Sequence, residues 1–353
     1  MKKIVITGGA GFIGINLVNN LIKKKKYKIF VLDALKYSSN KSDIKKIKKK
    51  ITFYKLDITN ISKLSKILNL IKPDIVFHLA AESHVDRSID DPSHFINTNI
   101  NGTYNLLKIL NKYYDKLANK KKMKFKFIHI STDEVFGELG TKGKFNETSN
   151  YKPNSPYSAS KACSDMLVRA WFKTYKFPSI ICNCSNNYGP YQHPEKLIPN
   201  VILRCINKLP IEIYGKGNNK RDWLFVEDHI NALYKIMLNG VPGHIYTIGT
   251  GKEYSNIDVV NKIIKLLKTN KTFLKKFGKF DSNLTFVKDR LGHDFRYSID
   301  SSKIKKKLRW NPVINFDKGL IKTINWYLSN NVWISEKLKE DYKIKRIGNK
   351  NIK

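Results

Sequence analysis

Short, almost wholly apolar runs alternate in the first half of the chain with longer stretches in which apolar residues recur every three or four positions. The short runs lie at 3–7, 28–32, Thr52–Lys55, 75–79, 125–130 and Ser179–Cys184. The longer stretches lie at 11–25, Ile61–Ile71, 92–117 and Pro156–Tyr175. The first set predicts strands buried on both faces, and the second predicts amphipathic helices packed on them. Their alternation predicts an α/β fold with a parallel, doubly wound sheet. Beyond about residue 188 the rhythm changes. Helical periodicity at 197–207, Val226–Asn239, 257–269 and 316–330 is broken by connections rich in Gly, Pro and Asn. Short strand-like runs fall at Ile211–Tyr214, Ile245–Ile248 and Leu284–Val287. This pattern predicts a smaller mixed α/β domain over the carboxyl ends of the sheet strands, where ligands of such sheets bind. Residues 1–188 then mainly form the first domain and 189–353 the second, with some later segments returning to the first. The polar, lysine-rich tail beyond Trp333 reads as a loosely packed end.

Composition narrows the class. A chain of 353 residues with 41% hydrophobic content carries enough core-forming side chains to exclude disorder as its main state. No run of 18 apolar residues occurs, so no membrane span is expected, and residues 1–8 read as a strand rather than a secretory signal. Cys163, Cys182, Cys184 and Cys205 form no C-x-x-C pair, which predicts a reducing, cytoplasmic setting and no metal site. The formal charge of +37 is diffuse, with lysines clustered at 23–26, 45–50, 120–122, 271–276 and 303–307, around almost every predicted helix. That spread fits a solvated basic surface. No aromatic-interleaved motif indicates specific nucleic-acid recognition.

Three motifs carry chemistry. Residues 7–14 read TGGAGFIG, directly after the first strand and opening the first helix. Gly8, Gly9, Gly11 and Gly14 allow a tight turn and close approach of the backbone to a pyrophosphate, whose charge then sits on the helix N-terminus. Asp33 ends the second strand 19 residues past Gly14, where a carboxylate takes ribose hydroxyls and repels a 2′-phosphate. The motif therefore predicts a Rossmann domain binding NAD rather than NADP. Asp57, after the third strand, is placed either to hold the adenine edge or to cap its loop. Tyr157 and Lys161 share one helix face at i and i+4. An ammonium there lowers the tyrosine pKa and reaches the nicotinamide ribose, leaving a phenolate able to take a hydroxyl proton. Finally Thr132, Asp133 and Glu134 lie just past the fifth strand, at the edge that faces the nicotinamide. Two adjacent acids exceed what alcohol oxidation needs: one suits removal of a proton from carbon, the other expulsion of a hydroxyl.

With these motifs in place, the chain resembles the nucleoside-diphosphate-glucose 4,6-dehydratases of the dTDP-glucose type, within the extended short-chain dehydrogenase/reductases. The likeness spans nearly the full length: HLAAESHVDRSI at 78–89, NTNINGT at 97–103, STDEVFGE at 131–138, YSASK at 157–161, NNYGPYQHPEKLIP at 186–199, RDWLFVEDH at 221–229 and DRLGHDFRYSID at 289–300. The TDE triplet is the most specific, because related epimerases carry small or hydroxyl residues there. The resemblance implies that Thr132 and Tyr157 act on the C4 oxygen, Asp133 on the C6 hydroxyl and Glu134 on the C5 proton. It implies a cofactor shell of Gly8, Gly11, Phe12, Ile13, Gly14, Asp33, Asp57, Ile58, Leu79, Ala80, Ala81, Ser83, Tyr157 and Lys161. It implies that Ser83, Asn187, Glu195, Lys196, Leu197, Tyr214, Arg221, Asn256, Arg290, His293 and Tyr297 hold the nucleotide sugar. Departures are Phe136 for a usual tyrosine, Leu291 for proline and Ser38–Ser39 for Ala-Gly; none removes a reacting group. On charge grounds Arg221, Arg290 and Arg296 in predicted loops suit a diphosphate better than the lysines, since a guanidinium pairs with two oxygens.

The implied reaction converts dTDP-glucose to dTDP-4-keto-6-deoxyglucose: oxidation at C4, loss of water across C5 and C6, and return of the hydride to C6 with NAD kept bound. The same chemistry on UDP-glucose remains open, because only one methyl on the base differs, worth about 1–3 kcal/mol. A nucleotide-sugar 4-epimerase would leave the two acids idle, and a non-catalytic NAD- or polyanion-binding protein is the remaining alternative. The product leads to rhamnose and other deoxysugars. The stretches 92–117 and Pro156–Tyr175 either form the four-helix homodimer contact common in the superfamily or belong to the core.

Overall fold

The computed structural model describes residues 1–340. Its strands are β1 (Lys2–Thr7), β2 (Tyr27–Asp33), β3 (Thr52–Lys55), β4 (Ile75–His78), β5 (Lys126–Thr132), β6 (Ser179–Cys184), β7 (Asn186–Tyr188), β8 (Ile211–Tyr214), β9 (Lys220–Phe225), β10 (Ile245–Ile248), β11 (Glu253–Ser255) and β12 (Leu284–Val287). Seven of them form a sheet in the order β10-β6-β5-β4-β1-β2-β3, and each neighbouring pair is parallel. Alternate residues of one strand serve opposite layers, as the pleat requires. Ile4 and Ile6 pack with Leu17 and Val18 of helix Phe12–Lys23 and with Ile230 and Leu233 of helix Val226–Asn239. Val5, between them, packs on the other face with Leu64, Leu106 and Val168 of helices Ile61–Ile71, Gly102–Asp115 and Pro156–Tyr175. The strand order reverses between β1 and β4, and the carboxyl ends there open a crevice.

A second core gathers Val201 and Ile202 of helix Leu197–Ile206, Val259 and Ile263 of helix Asn256–Thr269, and Leu320 and Ile324 of helix Phe316–Ser329. It supports two small sheets, β11-β9-β7 and the parallel pair β12-β8. Segments past residue 188 do return to the large sheet: β10 pairs with β6, and helix Val226–Asn239 covers its face.

Three expectations need correction. The helix expected over 92–117 is preceded by a separate helix, Val85–Asp90, and passes through a π-helical stretch at Ile96–Asn101 before Gly102–Asp115. Pro92 stops the first helix, and the wide turn presents Asn99, whose amide bonds both backbone groups of Glu82 (2.9 and 3.0 Å) and the Ser160 hydroxyl (2.8 Å). The tail is not loose from its start. Residues Asn331–Glu340 form a helix that buries Trp333, Ile334 and Lys337, because its apolar spacing completes the second core. The rest of that expectation, past residue 340, lies outside the described residues. Arg296 is not a free cation: both arms of its guanidinium pair with Glu253 (2.5 and 2.7 Å) and two of its nitrogens donate to the carbonyls of Gly140 and Gly143.

Candidate active site

The crevice between β1, β2 and β4 is lined by Gly8, Gly11, Asp33, Asp57, Ile58, Leu79, Ala80 and Ala81, with Lys36, Ser38, Ser39, Glu82 and Thr98. Its backbone is built for close approach. Gly8 has φ +68°, and a Cβ there would meet Ala80 N at 2.6 Å; at Gly14 it would meet the Gly8 carbonyl oxygen at 2.2 Å. Helix Phe12–Lys23 begins without a side-chain cap, so Phe12, Ile13 and Gly14 offer unclaimed N–H groups to an anion. Asp33 is held at Oδ1 by Leu35 N (2.8 Å) and the Ser39 hydroxyl (2.9 Å) and at Oδ2 by Ala10 N (2.9 Å), which leaves an acceptor site on Oδ2. These features fit a dinucleotide with free ribose hydroxyls. One Asp57 oxygen caps its own loop at Thr59 N (3.0 Å), and the residue also lines the crevice, with Lys36 3.8 Å from its second oxygen.

A second cleft lies beyond it. Its wall includes Asn187, Glu195, Lys196, Leu197, Tyr214, Arg221, Asn256, Arg290, His293 and Tyr297, together with Glu134. Ser83 is the exception: it is exposed and lines neither cleft, and its carbonyl accepts from Lys196 Nζ at 2.8 Å. Two helix N-termini meet here. Asn256–Thr269 is closed by a capping box in which Asp258 and Ser255 satisfy each other's N–H groups, whereas Leu197–Ile206 has no side-chain cap. An anion therefore favours the second. Arg221 is committed to the backbone, donating to the carbonyls of Lys220, Asp294 and Phe295 while its guanidinium lies 4.3 Å over the Tyr297 ring. Arg290 is freer. Its Nε is buried without a hydrogen-bond partner, and Nη1 stands 3.5 Å from Asp86. Burial, then Arg290, hold His293 down to about 4, so it is neutral at physiological pH.

Several wall residues were not singled out by sequence: His84, Asp86, Gln192, Asn200, Arg204, Glu212 and Trp223. Asp86 accepts from Tyr214 OH at 3.1 Å, and Arg204 pairs with Glu212 at 3.1 Å. His84 and Asp86 lie in the quoted HLAAESHVDRSI stretch, so that motif was the available signal. Arg204 and Glu212 sit on separate elements and carried none.

The residues expected to react converge where β5 ends. Thr132 caps the short turn Asp133–Phe136, accepting from Glu134 N (3.3 Å) and donating to Asp133 Oδ1 (3.2 Å). Asp133 Oδ2 is buried without a partner. Burial, then the neighbouring Glu134 charge, push the Asp133 carboxyl well above its ordinary range. Glu134 is also raised by burial, but Arg290, Lys196 and Arg221 oppose that shift. Burial favours the protonated form of both acids, more strongly at Asp133, while the three cations hold Glu134 nearer to ionisation, the kind of division a paired acid and base require. Helix Pro156–Tyr175 starts at a Ser155/Ser158 capping box with Pro156 in its first turn, which fixes Tyr157.

The expected lowering of the Tyr157 pKa by Lys161 is not found. Burial, then Glu134, push the phenol well above its ordinary value, with the Thr132 hydroxyl acting the other way. Lys161 instead donates to the Ile130 carbonyl at 2.9 Å. Its charge is balanced by Asp165, fully buried one turn further on and bonded by His129, Ser131, Tyr151 and Asn183 at 2.8–3.1 Å.

The family model described as GDP-mannose 4,6 dehydratase matches residues 5–323. Among curated relatives, the dTDP-glucose 4,6-dehydratase of Neisseria meningitidis is 46% identical over 353 residues, covering 99% of each chain. The crystal structure of the dTDP-glucose 4,6-dehydratase of Bacillus anthracis in complex with NAD is similar with a TM-score of 0.83 at 38% identity, covering 96% of this chain and 100% of that one. The Streptomyces venezuelae dTDP-glucose 4,6-dehydratase with NAD and TYD bound gives 0.83 at 37% identity, over 94% and 98%.

Proposed function

The chain belongs to the GDP-mannose 4,6 dehydratase family, and from that premise we propose how its own residues divide the work. The reaction is the NAD-dependent conversion of dTDP-glucose to dTDP-4-keto-6-deoxyglucose and water, a hydro-lyase step of deoxysugar biosynthesis. Bound NAD supplies a reversible hydride acceptor. Residues 1–188 mainly hold it and 189–353 mainly hold the nucleotide sugar. Tyr157, whose ionisation the Thr132 hydroxyl favours against burial, takes the C4 hydroxyl proton. The resulting ketone acidifies C5, whose proton passes to Glu134. Asp133, kept protonated, delivers its proton to the departing C6 hydroxyl. The diphosphate is met by Arg290 and the uncapped start of helix Leu197–Ile206, with Arg221 keeping Tyr297 and the 294–295 backbone in place.

The observation that carries this division is the unpartnered Asp133 Oδ2 beside an acid that three cations help to ionise. Incubation with dTDP-glucose in D2O should give a 4-keto-6-deoxy product carrying deuterium at C5, with the cofactor oxidised at the end. A product epimerised at C4 with its C6 hydroxyl intact would overturn the reading.

Two substitutions separate anchoring from diffuse charge. Arg290→Ala should raise the KM for dTDP-glucose by roughly tenfold to a hundredfold, the loss of one charge-assisted contact. Arg221→Ala should do so too and also lower the melting temperature, since it strips donors from three carbonyls. Joint replacement of the exposed Lys45, Lys46 and Lys48 should leave KM unchanged within about twofold. Equal losses from lysines and arginines would refute the assignment.

We also propose a cytoplasmic homodimer with no specific nucleic-acid or membrane partner. Buried thiols at Cys182, Cys184 and Cys205 support the compartment, and the exposed Tyr104 and Met166 on helices Gly102–Asp115 and Pro156–Tyr175 support the dimer contact. None of the described helices is long and apolar enough to cross a membrane.

A further inference from the structure

The loop that follows β2 carries Asp33's partners and is itself held by a distant part of the chain. Asn40 is fully buried; its backbone N and side-chain Nδ2 both donate to the Ala10 carbonyl (2.7 and 3.0 Å). Ala10 N in turn donates to Asp33, as does the Ser39 hydroxyl. Behind this loop stands helix Asn331–Glu340. Trp333 Nε1 donates to Asn40 Oδ1 at 2.8 Å, and Lys337 Nζ donates to the Ser39 carbonyl. Both side chains are buried, at 4% and 3% exposure, which is an unusual place for a lysine unless its charge is used. The Lys337 charge counters the burial that pushes the Asp33 carboxyl up. The helix is anchored on the far side: Trp333 packs on Trp326 and Tyr327, and Tyr327 OH bonds the Gln192 carbonyl. Gln192 lines the sugar-nucleotide cleft. One short helix thus touches the ribose loop with polar groups and is rooted in the other domain.

We propose that helix Asn331–Glu340 is a clasp on the dinucleotide loop, with Trp333 and Lys337 as positioning residues that act through Asn40 and Ser39 on Asp33 and slow release of the cofactor. This rests on the NAD reading of the crevice. The chemistry needs such a device, because the hydride removed at C4 must be returned at C6 of the same molecule. A cofactor that escaped between the two would strand the intermediate. Asp33 alone orients a ribose. Fixing its loop from the second domain ties cofactor residence to the element that also supports the substrate wall.

The test is exchange of bound NAD for radiolabelled NAD in the full-length chain, beside the melting temperature of the NAD-free protein. Trp333→Phe keeps the ring and removes the donor; Lys337→Met keeps the stem and removes the charge. Each should release NAD roughly tenfold faster, the effect of one buried polar link. Ile334→Val on the same helix trims packing alone and should lower the melting temperature slightly without changing exchange. Asp33→Asn is the reference. If it speeds exchange while neither Trp333→Phe nor Lys337→Met does, the clasp is refuted and the crevice stands. If all four variants speed exchange in proportion to lost stability, the helix acts only by packing and the clasp is likewise refuted. Unaltered exchange in Asp33→Asn would instead overturn the dinucleotide assignment itself.

Discussion

Replacing Glu134 by Gln is expected to halt the reaction after C4 oxidation, with reduced cofactor and a 4-keto-glucose nucleotide accumulating together. Overall turnover should fall by about 10²–10⁴-fold, the usual worth of a positioned base. The C4 step should survive and should shift in pH. The Glu134 charge is, after burial, the strongest influence raising the Tyr157 phenol, so removing it lets the phenol ionise more readily. Stopped-flow absorbance of the reduced cofactor should therefore rise as fast as in the parent or faster, with its pH midpoint displaced downward. Solvent deuterium should not enter C5. Asp133→Asn should behave differently: deuterium enters C5 while loss of the C6 hydroxyl slows by a comparable factor. The two spectra distinguish the acids. If Glu134→Gln exchanged C5 at the parental rate, the base would have to be sought elsewhere on the cleft wall.

Features governed by neighbours in the chain were legible in the sequence. Short, almost wholly apolar runs located six strands of the large sheet, and the glycine spacing placed the dinucleotide turn to the residue. The TDE and Y-x-x-x-K strings located side chains that do meet in the structure, because each rides on one element with a fixed direction, β5 and helix Pro156–Tyr175. What failed depended on partners far along the chain. Arg296 looked available until Glu253, 43 residues away, met it. Lys161 looked aimed at Tyr157, whereas the Ile130 carbonyl and the Asp165 charge claim it. The tail looked polar because Lys337 reads as surface in any local window; only the Ser39 carbonyl, 298 residues earlier, makes its burial intelligible. Arg204 and Glu212 carried no local signal for the same reason.

The Lys161–Asp165 pair leads to the second large effect. Asp165 is wholly buried, and although burial pushes its carboxyl up, bonds from His129 and Ser131 and the Lys161 charge hold it below the usual range. His129 Nε2 is the ring nitrogen in contact with it, at 2.9 Å, while Lys161 acts on it as a nearby charge without a direct bond. Asp165→Asn removes the carboxylate at the centre of this buried network and the charge nearest Lys161, and deleting one charged member of a buried set of this kind costs about 3–5 kcal/mol. Because the folded-state pKa lies below the unfolded one, Asp165 contributes its stability above the unfolded value and loses it as pH falls through the folded value. The gap between parent and variant should be full at neutral pH and close on acidification below about 4. Chemistry should change in the opposite pH direction. Lys161 is already lowered by burial and loses its counterion, so it becomes neutral at lower pH than in the parent. With the Lys161 ammonium expected on the nicotinamide ribose, the rate of cofactor reduction by dTDP-glucose should then decline earlier on the alkaline side while reaching a normal plateau below it. Tyr157→Phe is the contrast, since it removes the group proposed to take the C4 proton and should depress the same rate at every pH. Should Asp165→Asn give the flat depression of Tyr157→Phe, with no displaced alkaline limb, Asp165 would be shaping the site rather than holding the charge of Lys161.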